Sequence, residues 1–373
     1  MNPTATGMNG TPELPRSPLL AAHRAAGATI TRFAGWEMPL RFGSELAEHR
    51  AVRTAAGMFD LSYMAQLEVS GPGAAEALDR SLVSTASTLR LGRARYTVLA
   101  AADGGILDDL IVYRLALNDF LVIGNAANRS RVTDELTARS EGTSTAVVDR
   151  TVHRGLIAVQ GPAAARTLAE VCDADLTSLR YFGILQAGVA GAPALVARTG
   201  YTGEDGFELS VPAGCAQVVW RALNAAGEPH GLVPCGLASR DTLRLEAAMP
   251  LYGRELTAAT TPYDVGLGRL VDLDHEFVGR DALAARAAAG PQTALIGLRG
   301  NGRRAARAGS PVLAEGRHVG TVTSGALSPT LGVPIALARV GVTAAARAEL
   351  AVDVRGAHQT MGVVPLPFYR RPA

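Results

Sequence analysis

Lysine is absent from the 373 residues, so all 36 basic side chains are arginine. Without lysine there is no Schiff-base amine, which excludes pyridoxal phosphate chemistry, and no Walker lysine to reach a phosphate. Cysteine is scarce. Cys172, Cys215 and Cys235 are odd in number and far apart, so they make neither a disulfide framework nor a CxxC pair. Seven histidines show no HxH or HExxH spacing, and no metal is expected. No GxGxxG follows a strand signal, so no dinucleotide-binding unit is expected. No apolar run approaches the ~20 residues of a membrane span. The first 17 residues are polar and lack the charged-then-apolar order of a signal peptide, which reads as a flexible tail on a cytoplasmic protein. A net charge of +2 offers no global field for nucleic acid or an anionic membrane.

What is present is enough apolar material for a full core, at 48% hydrophobic residues, in a chain long enough for two or three domains. An internal echo divides it. QLEVSGPGAAEALDRSL (66–82) and LIAVQGPAAARTLAEV (156–171) each read as an apolar strand, a Gly-Pro turn and an alanine-rich helix. Proline is expected just inside each helix start, where its missing amide hydrogen costs nothing. Two copies suggest a duplicated α+β half rather than a solenoid. Strand signals lie at 94–100, 106–115, 119–126 and 207–212, and helical stretches at 45–56, 163–171, 216–226 and 238–248. From about residue 290 short strands alternate with glycine-rich turns, which predicts a small C-terminal β-barrel or sandwich. Arg303, Arg304 and Arg307 fall in its first turn region with no aromatic residues interleaved, and read as a solvated loop.

Three segments could carry chemistry. In GGILDDLIVY (104–113) two adjacent carboxylates interrupt an apolar strand. By strand parity Asp108 shares a face with Ile106, Leu110 and Val112, and Asp109 with Leu107, Ile111 and Tyr113. Neither face is wet, so each carboxylate must be paired, hydrogen-bonded or protonated. They could cap nearby backbone amides at a strand end, or one could face a pocket as an acid or anchor. In RTGYTGEDGFELSVP (198–212), Glu208 alternates against Phe207 and Leu209. In SRDTLRLEAAMPLYGREL (239–256), Arg240 and Arg244 share a helix face. They could form an exposed ion-pair face with Asp241 and Glu246, or hold a ligand carboxylate. Tyr96, Tyr201 and Tyr369 are candidates for stacking. Together these suit a flat, nitrogen-rich, carboxylate-bearing ligand.

Read in order, FAGWEMPL (33–40), HRAVRTAAGMFDLS (49–62), GGILDDLIVY, NAAN (125–128), RTGYTGEDGFEL, SRDTLRLEA, FVGRDAL (277–283), TSGALSPTLG (323–332) and PFYR (367–370) make the chain resemble the aminomethyltransferase, or T-protein, family of the glycine cleavage system. The resemblance implies a three-domain cloverleaf of α+β class. Two related α+β domains interleave over 18–285, and a C-terminal β-barrel spans 290–371. It implies transfer of the one-carbon unit of an aminomethyl-lipoyl arm to tetrahydrofolate as co-substrate, with release of ammonia and formation of 5,10-methylenetetrahydrofolate. The arm belongs to a transiently docking, lipoylated H-protein. It further implies Asp109 as the functional acid, orienting the folate N10 and stabilising positive charge. Glu208, Arg240 and Tyr369 would bind ligand, and Tyr96, Asn125 and Tyr201 would line the folate channel. The chain departs from the family's pattern at Tyr63, where a histidine is usual, and at Met249, where an aromatic residue is common. A tetrahydrofolate-dependent demethylase of the same fold is the alternative. A folate-binding iron–sulfur assembly or tRNA-maintenance protein would carry a cysteine near Gly200, and none is there.

Overall fold

The structure is a computed structural model and describes residues 15–372. Residues 1–14 of the expected tail lie outside the described residues. Its last residue, Ser17, is not a tail residue: it is buried and its hydroxyl donates to Asp60. The chain enters through helix α1 (Leu20–Ala25) and a hairpin of β1 (Thr29–Phe33) and β2 (Trp36–Arg41). Ala34 and Gly35 at its tip both have positive φ, 47° and 82°, as a two-residue turn matched to strand twist requires. Helix α2 (Glu45–Thr54) starts where the Ser44 side chain accepts from the Ala47 amide.

The duplication then unfolds along the chain. The first unit runs β3 (Ala56–Asp60), β4 (Ala65–Ser70), α3 (Ala74–Ser81), β5 (Arg93–Ala100), β6 (Ile106–Ala116), β7 (Asp119–Gly124) and α4 (Arg129–Arg139). The second runs β8 (Ala146–Asp149), β9 (Arg154–Gln160), α5 (Ala164–Ala169), β10 (Ile184–Val189), β11 (Ala192–Ala197), β12 (Gly206–Pro212) and α6 (Ala216–Gly227). Strand β13 (Leu232–Cys235) and helix α7 (Leu237–Glu246) follow.

One sheet has the order β5-β6-β7-β4-β8 and the other β10-β11-β12-β9-β3-β13. The first five places correspond strand for strand, with one exchange. The leading strand of each unit has crossed to the other sheet: β3 pairs with β9 and β8 with β4, both antiparallel. The two Gly-Pro turns are the same device. Gly71 and Gly161 have φ of +119° and +127°, and a Cβ there would meet the carbonyl oxygens of Ser144 and Ala55 at 2.2 and 2.6 Å. Those carbonyls lie just ahead of β8 and β3, so each glycine lets an exchanged strand enter. The prolines are not inside the helices as expected. Ala74 and Ala164 donate to the Gly71 and Gly161 carbonyls, which closes a turn first and starts each helix two residues beyond its proline.

The facing sides of the sheets share a cluster that includes Trp36, Phe59, Tyr63, Tyr113, Ile184, Leu195 and Leu243. Beyond α8 (Arg280–Ala289), β14 (Thr293–Gly300), β15 (Pro311–Ala314), β16 (Arg317–Leu327), β17 (Pro334–Gly341), β18 (Glu349–Val354) and β19 (Ala357–Val364) form a closed barrel, not a sandwich. Pairing of β14 with β19 closes it around Leu298, Val312, Ala336, Val340 and Val352. Arg303, Arg304 and Arg307 sit exposed between β14 and β15.

Helix α7 carries no exposed ion-pair face of the kind the spacing allowed. Arg244 and Glu246 are both 0% exposed. Arg244 donates to Asp241 (2.8 Å), Glu255 (3.0 Å), Ser324 (2.8 Å) and the Met249 carbonyl (3.3 Å). The Glu246 carboxylate accepts from Arg53 (2.9 Å), the Thr330 amide and hydroxyl (3.0 and 2.7 Å) and the Ser328 hydroxyl, and bonds His49 Nε2 at 3.1 Å. The barrel covers the side of α7 that periodicity alone would leave to solvent.

Burial alone would raise the Glu246 carboxyl. The hydrogen bond and charge of His49, the Ser328 hydroxyl and the Arg53 charge outweigh it and bring it down to about 2, from an ordinary 4.5. A carboxyl with a lowered folded-state pKa contributes stability above its unfolded value, lost as pH falls through the folded one. Glu246→Ala should therefore cost roughly 3–5 kcal/mol in urea unfolding at neutral pH, the scale for removing one partner of a buried ion pair. Glu246→Gln should flatten the decline in stability between pH 4.5 and 2. A decline as steep as the unmodified chain's would exclude Glu246 as its source.

Candidate active site

Strand β6 alternates buried and half-buried residues through its centre, as the parity argument requires. Asp108 is buried on the face of Ile106, Leu110 and Val112, and Asp109 is half-buried on the face of Ile111. Both carboxylates are met by side chains from the segment after β7. Asp108 accepts from the Asn125 amide (3.0 Å), Asn125 Nδ2 (2.8 Å) and Asn128 Nδ2 (2.7 Å). Asp109 accepts from Asn125 Nδ2 (2.7 Å) on one oxygen and from the Tyr96 hydroxyl (3.0 Å) on the other. Gly124 makes this approach possible, because a Cβ there would lie 2.9 Å from a Leu110 methyl and 3.1 Å from an Asp108 oxygen.

Burial pushes both carboxyls up from the ordinary range, and the Asp109 charge pushes Asp108 further. Hydrogen bonds from Tyr96 and Asn125 oppose the rise at Asp109, and those from Asn128 and Asn125 oppose it at Asp108. Neighbouring carboxyls this close titrate as a pair. The tyrosine moves the same way: burial and then the Asp109 charge hold the Tyr96 hydroxyl protonated, so it remains a donor.

The second cluster sits on β12, the loop before it and α7. Glu208 on β12 lies opposite Ala158 and Ala197 and accepts from the Thr199 hydroxyl, which is 3.2 Å from the Tyr113 hydroxyl. Burial raises its carboxyl, while Thr199 and the Arg240 charge pull it back. The Arg240 guanidinium rests on the Tyr201 ring, 4.5 Å from its centroid. Among the described residues Arg240 makes no ion pair and no side-chain hydrogen bond, in contrast to Arg244 one turn away. Tyr201 donates to the Pro250 carbonyl, and its hydroxyl is reached by the charges of Arg244, Arg240 and Asp109.

The two clusters thus meet through the tyrosines. Asp109 binds Tyr96, Tyr96 lies within the field of Tyr201, and Tyr201 underlies Arg240, which faces Glu208. Each of these residues is half-buried, with part of its side chain open.

Tyr369 lies apart from these clusters, in the segment that follows β19. The Arg53 guanidinium covers its ring at 4.0 Å and its amide donates to the Glu246 carbonyl (2.9 Å). Burial and the Glu204 carboxylate push its hydroxyl up to about 12. Asn125 is committed to the two aspartates. Sequence reasoning missed Asn128, although its three-residue spacing from Asn125 was a usable signal, and it missed Arg53, which had none. A cleft of about 900 Å³ is lined by Glu68, Arg150, Arg154, Asp173 and Gln186 and contains none of the expected site residues. Its arginines are paired with Glu68 at 2.8 and 2.9 Å. Among the described residues no group of three or more His, Cys, Asp or Glu could hold a metal ion, and no helix is long and apolar enough to cross a membrane.

Comparison with known proteins agrees with this layout. Residues 19–275 match the GCVT N-terminal domain and residues 294–370 the glycine cleavage T-protein C-terminal barrel domain. An aminomethyltransferase of Streptomyces avermitilis is 56% identical over 358 residues, covering 94% of this chain and 96% of its own. One from Geobacillus kaustophilus is 43% identical over 363 residues, covering 96% and 99%. The crystal structure of glycine cleavage system aminomethyltransferase T from Bartonella henselae superposes with a TM-score of 0.90 at 36% identity, over 96% of this chain and 99% of that one. With the duplicated sheets, the barrel and both family domains in register, the chain belongs to the glycine cleavage T-protein family and is an enzyme of its aminomethyltransferase class.

Proposed function

We propose that the chain transfers the one-carbon unit of an aminomethyl group, carried on the lipoyl arm of a transiently docked H-protein in the cytoplasm, to tetrahydrofolate. Ammonia and 5,10-methylenetetrahydrofolate are the products. The observation that carries this reading is Arg240, a half-buried guanidinium stacked on Tyr201 with no ion pair or side-chain hydrogen bond among the described residues, within the field of the Glu208 carboxylate. A cation and an acceptor left open side by side suit a ligand that brings both an acceptor and N–H donors. A reduced pteridine with its amino-group edge has that character, and Tyr96 and Tyr201 offer ring faces to it.

In this reading Glu208 and Arg240 fix the heterocycle, and Asp109 acts on the reacting nitrogens. Tyr96 and Asn125 hold one oxygen each of the Asp109 carboxylate, so it is aimed before the ligand arrives. An ionised Asp109 stabilises positive charge that develops on nitrogen as the carbon moves. Asp108, buried behind it, is a positioning residue that holds Asn125 and Asn128. Tyr369 and Arg53 would support the loop that presents Tyr201.

Asp109→Asn should keep the fold and lower turnover at least ~100-fold, the scale for losing a preorganised charge in a buried site. Asp108→Asn should lose less. Equal losses would mean that the two faces are assigned wrongly. Because burial raises Asp109 and its ionised form is the active one, kcat/KM should fall on the acid side with a midpoint clearly above the ordinary aspartate value of about 4. An acid limb at or below that value would exclude Asp109 as the titrating group.

Arg240→Ala and Glu208→Ala should each weaken tetrahydrofolate binding by roughly 1–3 kcal/mol, the cost of leaving a buried polar partner unpaired. Unchanged calorimetric affinity in both variants would take them out of the site.

A further inference from the structure

Four tyrosine hydroxyls belong to these two clusters or adjoin them. Three are satisfied by the protein: Tyr96 donates to Asp109, Tyr113 bonds Thr199, and Tyr201 donates to Pro250. The fourth is Tyr63, in the turn between β3 and β4. Its side chain is 2% exposed, and its hydroxyl has no hydrogen-bond partner among the described residues. Native proteins rarely leave a buried hydroxyl unpaired, and those that remain call for an explanation.

The surroundings hold the ring firmly. Tyr63 packs in the inter-sheet cluster with Trp36, Phe59, Tyr113 and Leu243, and meets the Phe33 ring edge-on at 5.3 Å and 79°. Burial raises the hydroxyl. The Arg240 charge lowers it, and those of Asp60 and Glu208 raise it again, so the group stays protonated and faces Arg240 and Glu208 electrostatically. Two polar groups on this wall are therefore uncommitted, the Tyr63 hydroxyl and the Arg240 guanidinium. Arg240 rests on the Tyr201 ring with no side-chain hydrogen bond or ion pair among the described residues, so a ligand acceptor placed between the two would be met by both.

We propose that Tyr63 is a ligand-binding residue whose hydroxyl donates a hydrogen bond to a ring carbonyl or ring nitrogen of the heterocycle held by Arg240 and Glu208. This rests on the tetrahydrofolate reading given above. Glu208 accepts from the ligand's N–H groups, while Tyr63 and Arg240 donate to its acceptors, and the three together select a heterocycle that offers both edges. A ring lacking the acceptor would leave the Tyr63 hydroxyl buried and unpaired, which is a strong basis for rejecting it.

The test is Tyr63→Phe, read by stability and affinity together. A hydroxyl with a structural partner would be missed on removal. One that waits for a ligand should leave the urea midpoint of the ligand-free protein unchanged or raised. Tetrahydrofolate should bind Tyr63→Phe about 5- to 20-fold more weakly by titration calorimetry. In the unsubstituted protein labelled with [13Cζ]tyrosine, the resonance that disappears in Tyr63→Phe should move on adding tetrahydrofolate. That signal is read without the variant's ligand affinity. Wild-type affinity in Tyr63→Phe, or a Tyr63 resonance indifferent to tetrahydrofolate while the protein binds it, would overturn the proposal and leave the folate reading intact. Failure of the unsubstituted protein to bind tetrahydrofolate would overturn the folate reading, and Tyr63 with it.

Discussion

The fold turns on the buried carboxylate of Glu246. It collects donors from His49 and Arg53 of α2 and from the loop after β16, so it joins the two-sheet body to the barrel at one point. At the other end of α7, the Glu48 carboxylate accepts from the Gly236 amide (2.9 Å) and the Ser239 hydroxyl (3.0 Å), and caps the helix start. Arg240 lies between these anchors. The guanidinium keeps its station above Tyr201 because the helix beneath it is fastened at both ends. Neither anchor is cheap to desolvate, and each is tolerated because nearly every oxygen lone pair is used.

The Asp108–Asp109 pair follows the same logic with a different result. Here the donors are neutral amides and a phenol rather than cations, so hydrogen bonding does not cancel the cost of burial. One carboxylate stabilises a structure and stays strongly acidic; the other is kept close to protonation. The contrast between Glu246, held by His49 and Arg53, and Asp109, held by Asn125 and Tyr96, shows how the choice of donor separates a rivet from a reactive group.

Local chemistry was legible in the sequence, and non-local geometry was not. The repeat shows because the turn at Gly71 and Gly161 needs glycine, and that requirement is written in adjacent residues. The two aspartates show because carboxylates in an apolar strand break an otherwise regular pattern. The exchange of β3 and β8 between sheets leaves no mark, since a strand's pattern does not name its partner. Arg244 and Glu246 were open to misreading for a related reason. Helical period identifies which residues share a face, and says nothing about a barrel from later in the chain covering it. Tyr369 was visible as an aromatic end, but its stacking on Arg53 depends on a residue more than three hundred positions away.

The exchanged strands also set the order in which the chain can become a protein. During synthesis β3 emerges well before β9, the strand it lies beside, and the first sheet lacks its edge until β8 has left the ribosome. The second sheet then waits on β13 before β3 is flanked on both sides. Half of the chain is therefore never a finished half of the molecule. Closure of these long loops postpones the sheets' mutual support, and leaves β3, apolar up to Asp60 and buried along its whole length in the end, as a segment that nascent-chain chaperones would have reason to shelter.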